Sequence, residues 1–310
     1  MRRIATTENL TEIDEMVAQY RGHAEEGDPE SQLFLGSCYR QGKGVEQNDA
    51  QAFYWTQCAA EQGYTPAQLY LADCYLDGCG STPDSEQAMA WIKKAAEQGN
   101  AEGQSCLGHC YLEGFGVEKD AEQAVVWFQK AAEQGSSSAQ FGLAVCFFHG
   151  WGVNRNDANA VAYCKLAAEQ NDVKALLQLG VCYMYGKGVV KNLSTAEEYL
   201  RRAIACGDEF GWDEEDEQNE NEAKAHRLLA ESYYAHYIWD DLSLNALDIA
   251  NCIPFLNLAS WSATFVIRAG EKAKLKKFLK TEEGQFMLEH FQIAADLGDK
   301  EAISMLRKCS

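Results

Sequence analysis

The tetrapeptide Ala-Glu-Gln-Gly occurs at Ala60–Gly63, Ala96–Gly99 and Ala132–Gly135. It returns as Ala168–Asn171 with Asn in the place of Gly, and in degenerate form at Ala24–Gly27. Every step is 36 residues, without slippage over five copies. A fixed period of this size marks an array of supersecondary units. In such an array each unit contacts only its neighbours. The 310 residues therefore need not be divided into the two closed domains that the length alone would suggest.

One period reads as a helical hairpin. Numbering from Ala24, Ala60, Ala96, Ala132 and Ala168 as position 1, position 5 is Asp28, Tyr64, Asn100, Ser136 and Asp172. Four of these five side chains can accept a bond from an orphan helix N–H. A first helix follows, with apolar or small residues at positions 8, 12, 15, 16 and 19, a spacing that gathers them on one stripe. A Gly-x-Gly turn ends it, at Gly42/Gly44, Gly78/Gly80, Gly114/Gly116, Gly150/Gly152 and Gly186/Gly188. Position 25 is Asn48, Asp84, Asp120, Asn156 and Asn192, five caps for a second helix. Gln51, Gln87 and Gln123 stand three residues later, the arrangement of a capping box. The second helix carries Ala at position 29 and Trp55, Trp91, Trp127, Tyr163 and Tyr199 at position 32. Small residues let helices approach, and the aromatic is expected to fill the space beside them.

The composite Leu-Gly-x-Cys-Tyr-x-x-Gly-x-Gly-Val…Ala-x-x-Trp-Phe-x-Lys-Ala-Ala resembles the Sel1-like repeat family, relatives of tetratricopeptide repeats. The resemblance covers Ala24–Gly207, recurs weakly at Ala223–Trp239 with Ser232 in place of the repeated Cys, and recurs again at Phe291–Cys309. It implies an all-α, right-handed superhelical solenoid used for protein–protein contact. The expected organisation is an N-terminal capping helix over 1–23, five repeats over 24–207, an acidic insertion over 208–222, and divergent repeats and capping helices over 223–310. Residues 240–290 in particular read as atypical capping helices.

The run Asp208–Glu222 holds nine acids and no base. It reads as a solvated insertion or as an arm that captures a basic segment through Phe210 and Trp212. Arg268, Lys272, Lys274, Lys276, Lys277 and Lys280 form a basic stretch, read as a surface helix near the end of the array. Residues Ile249–Ile267 are uncharged, but Asn251, Pro254 and Asn257 interrupt them, so a buried helix pair is expected rather than a membrane span.

Net charge is −20, which repels nucleic-acid phosphates and anionic lipid, so neither is an expected partner. No apolar region follows Arg2 and Arg3, and a cytoplasmic protein is expected. Of twelve cysteines, Cys38, Cys74, Cys110, Cys146 and Cys182 share position 15. Adjacent copies would lie roughly 10 Å apart, the helix-packing distance and too far for a disulfide. Reduced, buried thiols follow.

The usual metallopeptidase, nucleotide-binding and serine-hydrolase motifs are missing, and no cofactor is expected. Cys106, His109 and Cys110, with Cys146 and His149, could offer metal ligands on one helix, but Cys110 and Cys146 belong to the structural column. No metal site is expected. Cysteine-rich relatives described as β-lactamase-like or penicillin-binding suggest a hydrolase as the rival to a scaffold. Here, however, the additional cysteines are scattered over the repeat and no Ser-x-x-Lys is present. A translocated effector or immunity-type partner is a third class.

Residues that the repeat leaves free are the candidates for function. Positions 7, 14 and 18 fall opposite the buried stripe. On tetratricopeptide-like geometry that face lines a concave groove. Its candidate binding residues are Asp73, Asp77, His109 and Glu113, then Val145, His149, Val181 and Tyr185. This makes one half acidic and the other apolar, suited to a protein or peptide with a basic segment. Phe115 and Trp151, between the turn glycines, are either interface residues on the turn edge or packed on the neighbouring turn.

Overall fold

The computed structural model describes residues 7–209, 221, 223–232 and 279–309. These are helices and turns, with no strand among the described residues. The chain divides into two compact units, Met1–Arg155 and Asn156–Ser310. The first holds α1 (Thr7–Glu25), α2 (Pro29–Gln41), α3 (Asp49–Glu61), α4 (Thr65–Asp77), α5 (Ser85–Glu97), α6 (Ala101–Glu113), α7 (Ala121–Glu133) and α8 (Ser137–His149). The second holds α9 (Asp157–Glu169), α10 (Val173–Tyr185), α11 (Leu193–Glu209), a helical stretch over 223–232, α12 (Glu282–Asp296) and α13 (Lys300–Cys309).

The caps explain where the helices begin. Asp28, Asn100, Ser136 and Asp172 each accept from the backbone N–H three residues on, while Tyr64 makes no side-chain cap. Asn48, Asp84, Asp120, Asn156 and Asn192 do the same for the second helices. The reciprocal half of the expected capping box is replaced. The cap N–H of Asn48, Asp84, Asp120 and Asn192 donates instead to the carbonyl of Tyr39, Tyr75, Tyr111 and Tyr183 in the preceding helix. The glutamines at 51, 87 and 123 are therefore not needed as acceptors at that N–H.

The turn needs both glycines, for different reasons. The first caps the helix in the left-handed region, with φ 66 to 78°, its N–H bonded to the carbonyl of the repeated Cys. The second meets the preceding repeat. A Cβ on Gly80 or Gly116 would strike the carbonyl of Asp49 or Ser85, and one on Gly152 or Gly188 that of Ala121 or Asp157. Each of these carbonyls belongs to the first turn of the preceding second helix, so the glycine is the contact point between successive hairpins.

The Ala-Glu-Gln-Gly signature has a packing cause that its period alone does not reveal. Gln32, Gln68 and Gln104 are buried, and each Nε2 donates to the carbonyl of Ala24, Ala60 or Ala96. Each Oε1 accepts from the signature glutamine of the next repeat: Gln62, Gln98 and Gln134, at 2.7, 3.0 and 2.8 Å. A ladder of buried amides thus ties hairpin to hairpin, and satisfied polar groups of this kind carry specificity into an otherwise apolar stack. At position 9 of the last copy stands Leu176, and there Arg202 donates to the Ala168 carbonyl and to Asn171 Oδ1. Asn171 takes the left-handed conformation at φ 62° that Gly holds elsewhere.

The core is a set of columns. Leu35, Leu71, Leu107, Leu143 and Leu179 at position 12 have no exposed surface, nor do Ala52, Ala88, Ala124, Ala160 and Ala196 at position 29. Cys38, Cys74, Cys110, Cys146 and Cys182 are buried thiols, as their spacing predicts. The deepest large side chain of the second helix lies one residue beyond the expected aromatic. Phe128 and Leu200 at position 33 are fully buried against Gly108 and Gly180. Of the position-32 aromatics Trp91 is buried and the other four are half-buried, and Lys94 and Lys130 lie over the Trp91 and Trp127 rings.

Three expected boundaries shift. The N-terminal helix runs to Glu25 rather than 23, and α11 extends through Asp208 and Glu209 into the acidic run. The residues expected to form capping helices include the start of α12, which is a second-type helix of a repeat. It ends in Ala294-Ala295-Asp296-Leu297-Gly298, with Gly298 at φ 95°. Ala230 on the 223–232 helix shares a core with Met287, Phe291 and Ala294 of α12 and Ala302 of α13. Ala230 occupies position 13 and Phe291 position 33, so the two helices are the halves of one hairpin separated in sequence by residues 233–281. Most of the acidic run, the uncharged segment and the basic stretch up to Lys277 lie outside the described residues.

Candidate protein-binding face

Positions 7, 11, 14 and 18 of each first helix lie on one stripe by helical geometry. Position 11, held by Phe34, Tyr70 and Cys106 in the first three repeats, belongs to this stripe beside the positions 7, 14 and 18 named from the sequence. All three are half-buried at the edge of the exposed face. The signal was the spacing itself, since at about 100° per residue position 11 falls about 20° from position 18 on the same side.

In the first unit the face is polar around α4. Asp73, Asp77 and Glu113 are exposed. Asp77 Oδ2 accepts from Arg40 Nη2 at 2.5 Å, and the Arg40 guanidinium lies 5.3 Å from the centre of the Tyr70 ring. Asp77 is thus already paired within the unit. Asp73 reaches solvent, yet neighbouring side chains partly desolvate its carboxyl. That burial raises its pKa, and nearby Asp77 and Glu102 add to the rise while Arg40 opposes it. His109 is half-buried with its ring edge against Phe128 at 4.8 Å, so it belongs partly to the hairpin's own packing. Val145 is half-buried on α8. His149 is exposed at the end of α8 and stacks on Trp151 at 4.4 Å and 17°. Trp151 remains 44% and Phe115 42% exposed, so both turn aromatics keep a large free surface.

In the second unit Val181 is half-buried and Tyr185 is 42% exposed at the end of α10. The Tyr185 hydroxyl is pushed up to about 12, first by burial and then by the Glu231 carboxylate, against the opposing pull of Arg227. Arg227 is clamped by Glu231 at 2.8 Å, Asp299 at 3.0 Å and Glu301 at 2.7 Å. This cluster joins the 223–232 helix to the start of α13.

The buried thiols are little ionised near neutral pH. Burial pushes Cys74 and Cys106 up to about 12 and Cys146 and Cys182 up to about 11. Among the described residues no group of three or more His, Cys, Asp or Glu is arranged to hold a metal ion. His109 and His149 are each engaged with an aromatic ring rather than converging on the cysteines beside them. No helix among the described residues is long and apolar enough to cross a membrane.

Comparison with solved structures finds the same architecture. A Sel1 repeat protein from Oxalobacter formigenes aligns with a TM-score of 0.60 and 29% identity, over 71% of this chain and 80% of its own. The protein c5321, a protective antigen present in uropathogenic Escherichia coli strains and displaying an SLR fold, aligns with a TM-score of 0.59 and 28% identity. That alignment covers 94% of this chain and 66% of c5321. No curated protein matches. The sequence model of the Sel1 repeat matches residues 29–64, 65–100, 101–136, 137–172 and 173–208 in succession, and 288–299 within the split hairpin. More than half of the chain is matched in this way, and the chain belongs to the Sel1-repeat family.

Proposed function

We propose that this chain is a non-enzymatic scaffold that binds a protein or peptide through the exposed face of its first helices. The observation that carries the reading is the contrast between positions. The core columns at positions 12, 15 and 29 hold Leu, Cys and Ala throughout, whereas position 14 holds Ser37, Asp73, His109, Val145 and Val181, and position 18 holds Gln41, Asp77, Glu113, His149 and Tyr185. The repeat does not fix the residue type at these positions, so they can vary to suit a ligand. The acids around α4, beyond the one paired with Arg40, suit a basic segment and would steer its approach. Tyr185, exposed and amphipathic, has the character of an interface hot spot.

The test begins with partner capture from the native host and continues with the purified pair. Asp73→Lys should weaken association mainly at low salt, because exposed charges act through a screened field. Tyr185→Ala should weaken it at any salt, by about 1–2 kcal/mol. If both leave affinity unchanged while Phe115→Ala with Trp151→Ala abolishes it, the turn edge is the binding surface instead. No turnover of a chromogenic β-lactam is expected; saturable hydrolysis would replace the scaffold reading with an enzymatic one.

A further inference from the structure

Every first helix of the five repeats ends in the same way. The N–H of the residue after the capping Gly donates to the carbonyl of the repeated Cys: Lys43 to Cys38, Cys79 to Cys74, Phe115 to Cys110, Trp151 to Cys146 and Lys187 to Cys182, at 2.9–3.1 Å. This closure brings the side chains of positions 15 and 20 together. In four copies the pair is Cys with Lys, Phe or Trp. In the second copy alone both members are cysteine. Cys74 and Cys79 are free thiols buried at 0% and 8% exposure in the same core cluster, and the Cys79 N–H donates to the Cys74 carbonyl at 3.0 Å.

We propose that Cys74 and Cys79 form a redox-active dithiol that closes reversibly to a disulfide when it meets a small dialkyl disulfide such as oxidised glutathione. Cys79, on the turn and the less buried of the two, attacks first. Its sulfur bonds one sulfur of the oxidant, the oxidant's S–S bond breaks, and one thiol RSH leaves with the Cys79 proton. Cys74 sulfur then attacks Cys79 sulfur, expelling a second RSH with the Cys74 proton. The two cysteines lose two electrons and two protons, and one RSSR becomes two RSH. Burial raises both thiols, with the Arg40 charge opposing the rise, so the attack needs mildly alkaline pH.

Closure has a structural consequence. Gly80, the residue after Cys79, rests on the Asp49 carbonyl at the start of α3. Oxidation therefore acts beside the contact between the second hairpin and the first. Arg40, which pairs with Asp77, acts electrostatically on both thiols. The site stands independently of the proposed binding face.

The experiment uses the full chain, incubated with oxidised glutathione at mildly alkaline pH, then blocked with an alkylating agent and mapped by peptide mass spectrometry. The expected result is loss of two of the twelve thiols per chain, in a peptide linking Cys74 to Cys79. Cys74→Ser should trap Cys79 as the mixed disulfide with glutathione. That variant should fold, since Ser232 holds the same repeat position in the split hairpin and is fully buried. Cys79→Ser should leave Cys74 alkylated only after denaturation. No linked peptide in the wild type, or links from Cys79 to other cysteines in equal yield, overturns the proposal.

Discussion

At the scale of single residues, the glycines separate two costs that the sequence presents identically. Gly99 and Gly152 both have positive φ, 87° and 66°, but a Cβ meets nothing within 4 Å at Gly99 and strikes the Ala121 carbonyl at Gly152. Gly99→Ala should cost only the left-handed backbone penalty, about 1–2 kcal/mol. Gly152→Ala should cost clearly more, and thermal melts of the two variants compare them directly. Thr56 presents the opposite case. It sits where other repeats place Ile92, Phe128, Cys164 or Leu200, fully buried, with its hydroxyl finding no partner among the described residues. Thr56→Val keeps the shape and removes the unsatisfied donor, so it should stabilise by about 1 kcal/mol in urea titration.

Among the elements, the glutamine ladder and its substitute can be exchanged. Where Leu176 interrupts the ladder, Arg202 serves the Ala168 carbonyl. Arg202→Ala should destabilise by about 1 kcal/mol. Adding Leu176→Gln in that background should recover much of the loss, and additivity of the two changes would show that they are not coupled. The split hairpin carries a second device. His226 takes the ladder's position 9 and His290 the aromatic's position 32; their rings stack at 4.7 Å with Nδ1 facing Nδ1. Only one proton fits between those nitrogens. Burial, then His226, then Arg201 on α11 push His290 down to about 4, and Phe286 packs edge-on against it. An unfolded histidine titrates near 6.5. The folded state therefore binds the proton less readily, so this contribution is complete above about pH 6.5 and is lost as pH falls toward 4. The difference in unfolding free energy between wild type and His290→Tyr, read from urea titrations, should narrow on that acid side by about 1–2 kcal/mol given the ring's partial exposure.

For the molecule as a whole, the thiol columns and the charge make the accessible tests. A thiol reagent should find few reactive groups in the native protein and all twelve after denaturation without reductant. A markedly lower denatured count would reveal disulfides and displace the reduced-thiol reading. The net charge of −20 should keep the chain off DNA and off anionic vesicles at physiological salt. Binding to a basic partner should instead weaken steeply as salt is raised.

The sequence by itself determined the hairpin, its period and its core columns, because caps, turn glycines and helical spacing are local rules that each repeat states again. It determined the five-cysteine column for the same reason. Tertiary structure decided what joins one hairpin to the next. The amide ladder links residues 30 apart, and the second turn glycine is required by a carbonyl of the preceding repeat. A one-dimensional pattern shows that such residues recur without showing what they touch. It was also tertiary structure that paired Asp77 with Arg40, turned His109 onto Phe128, and rejoined the 223–232 helix with α12 across residues 233–281. Contacts between elements distant in sequence depend on how helices pack, and the period carries no record of them.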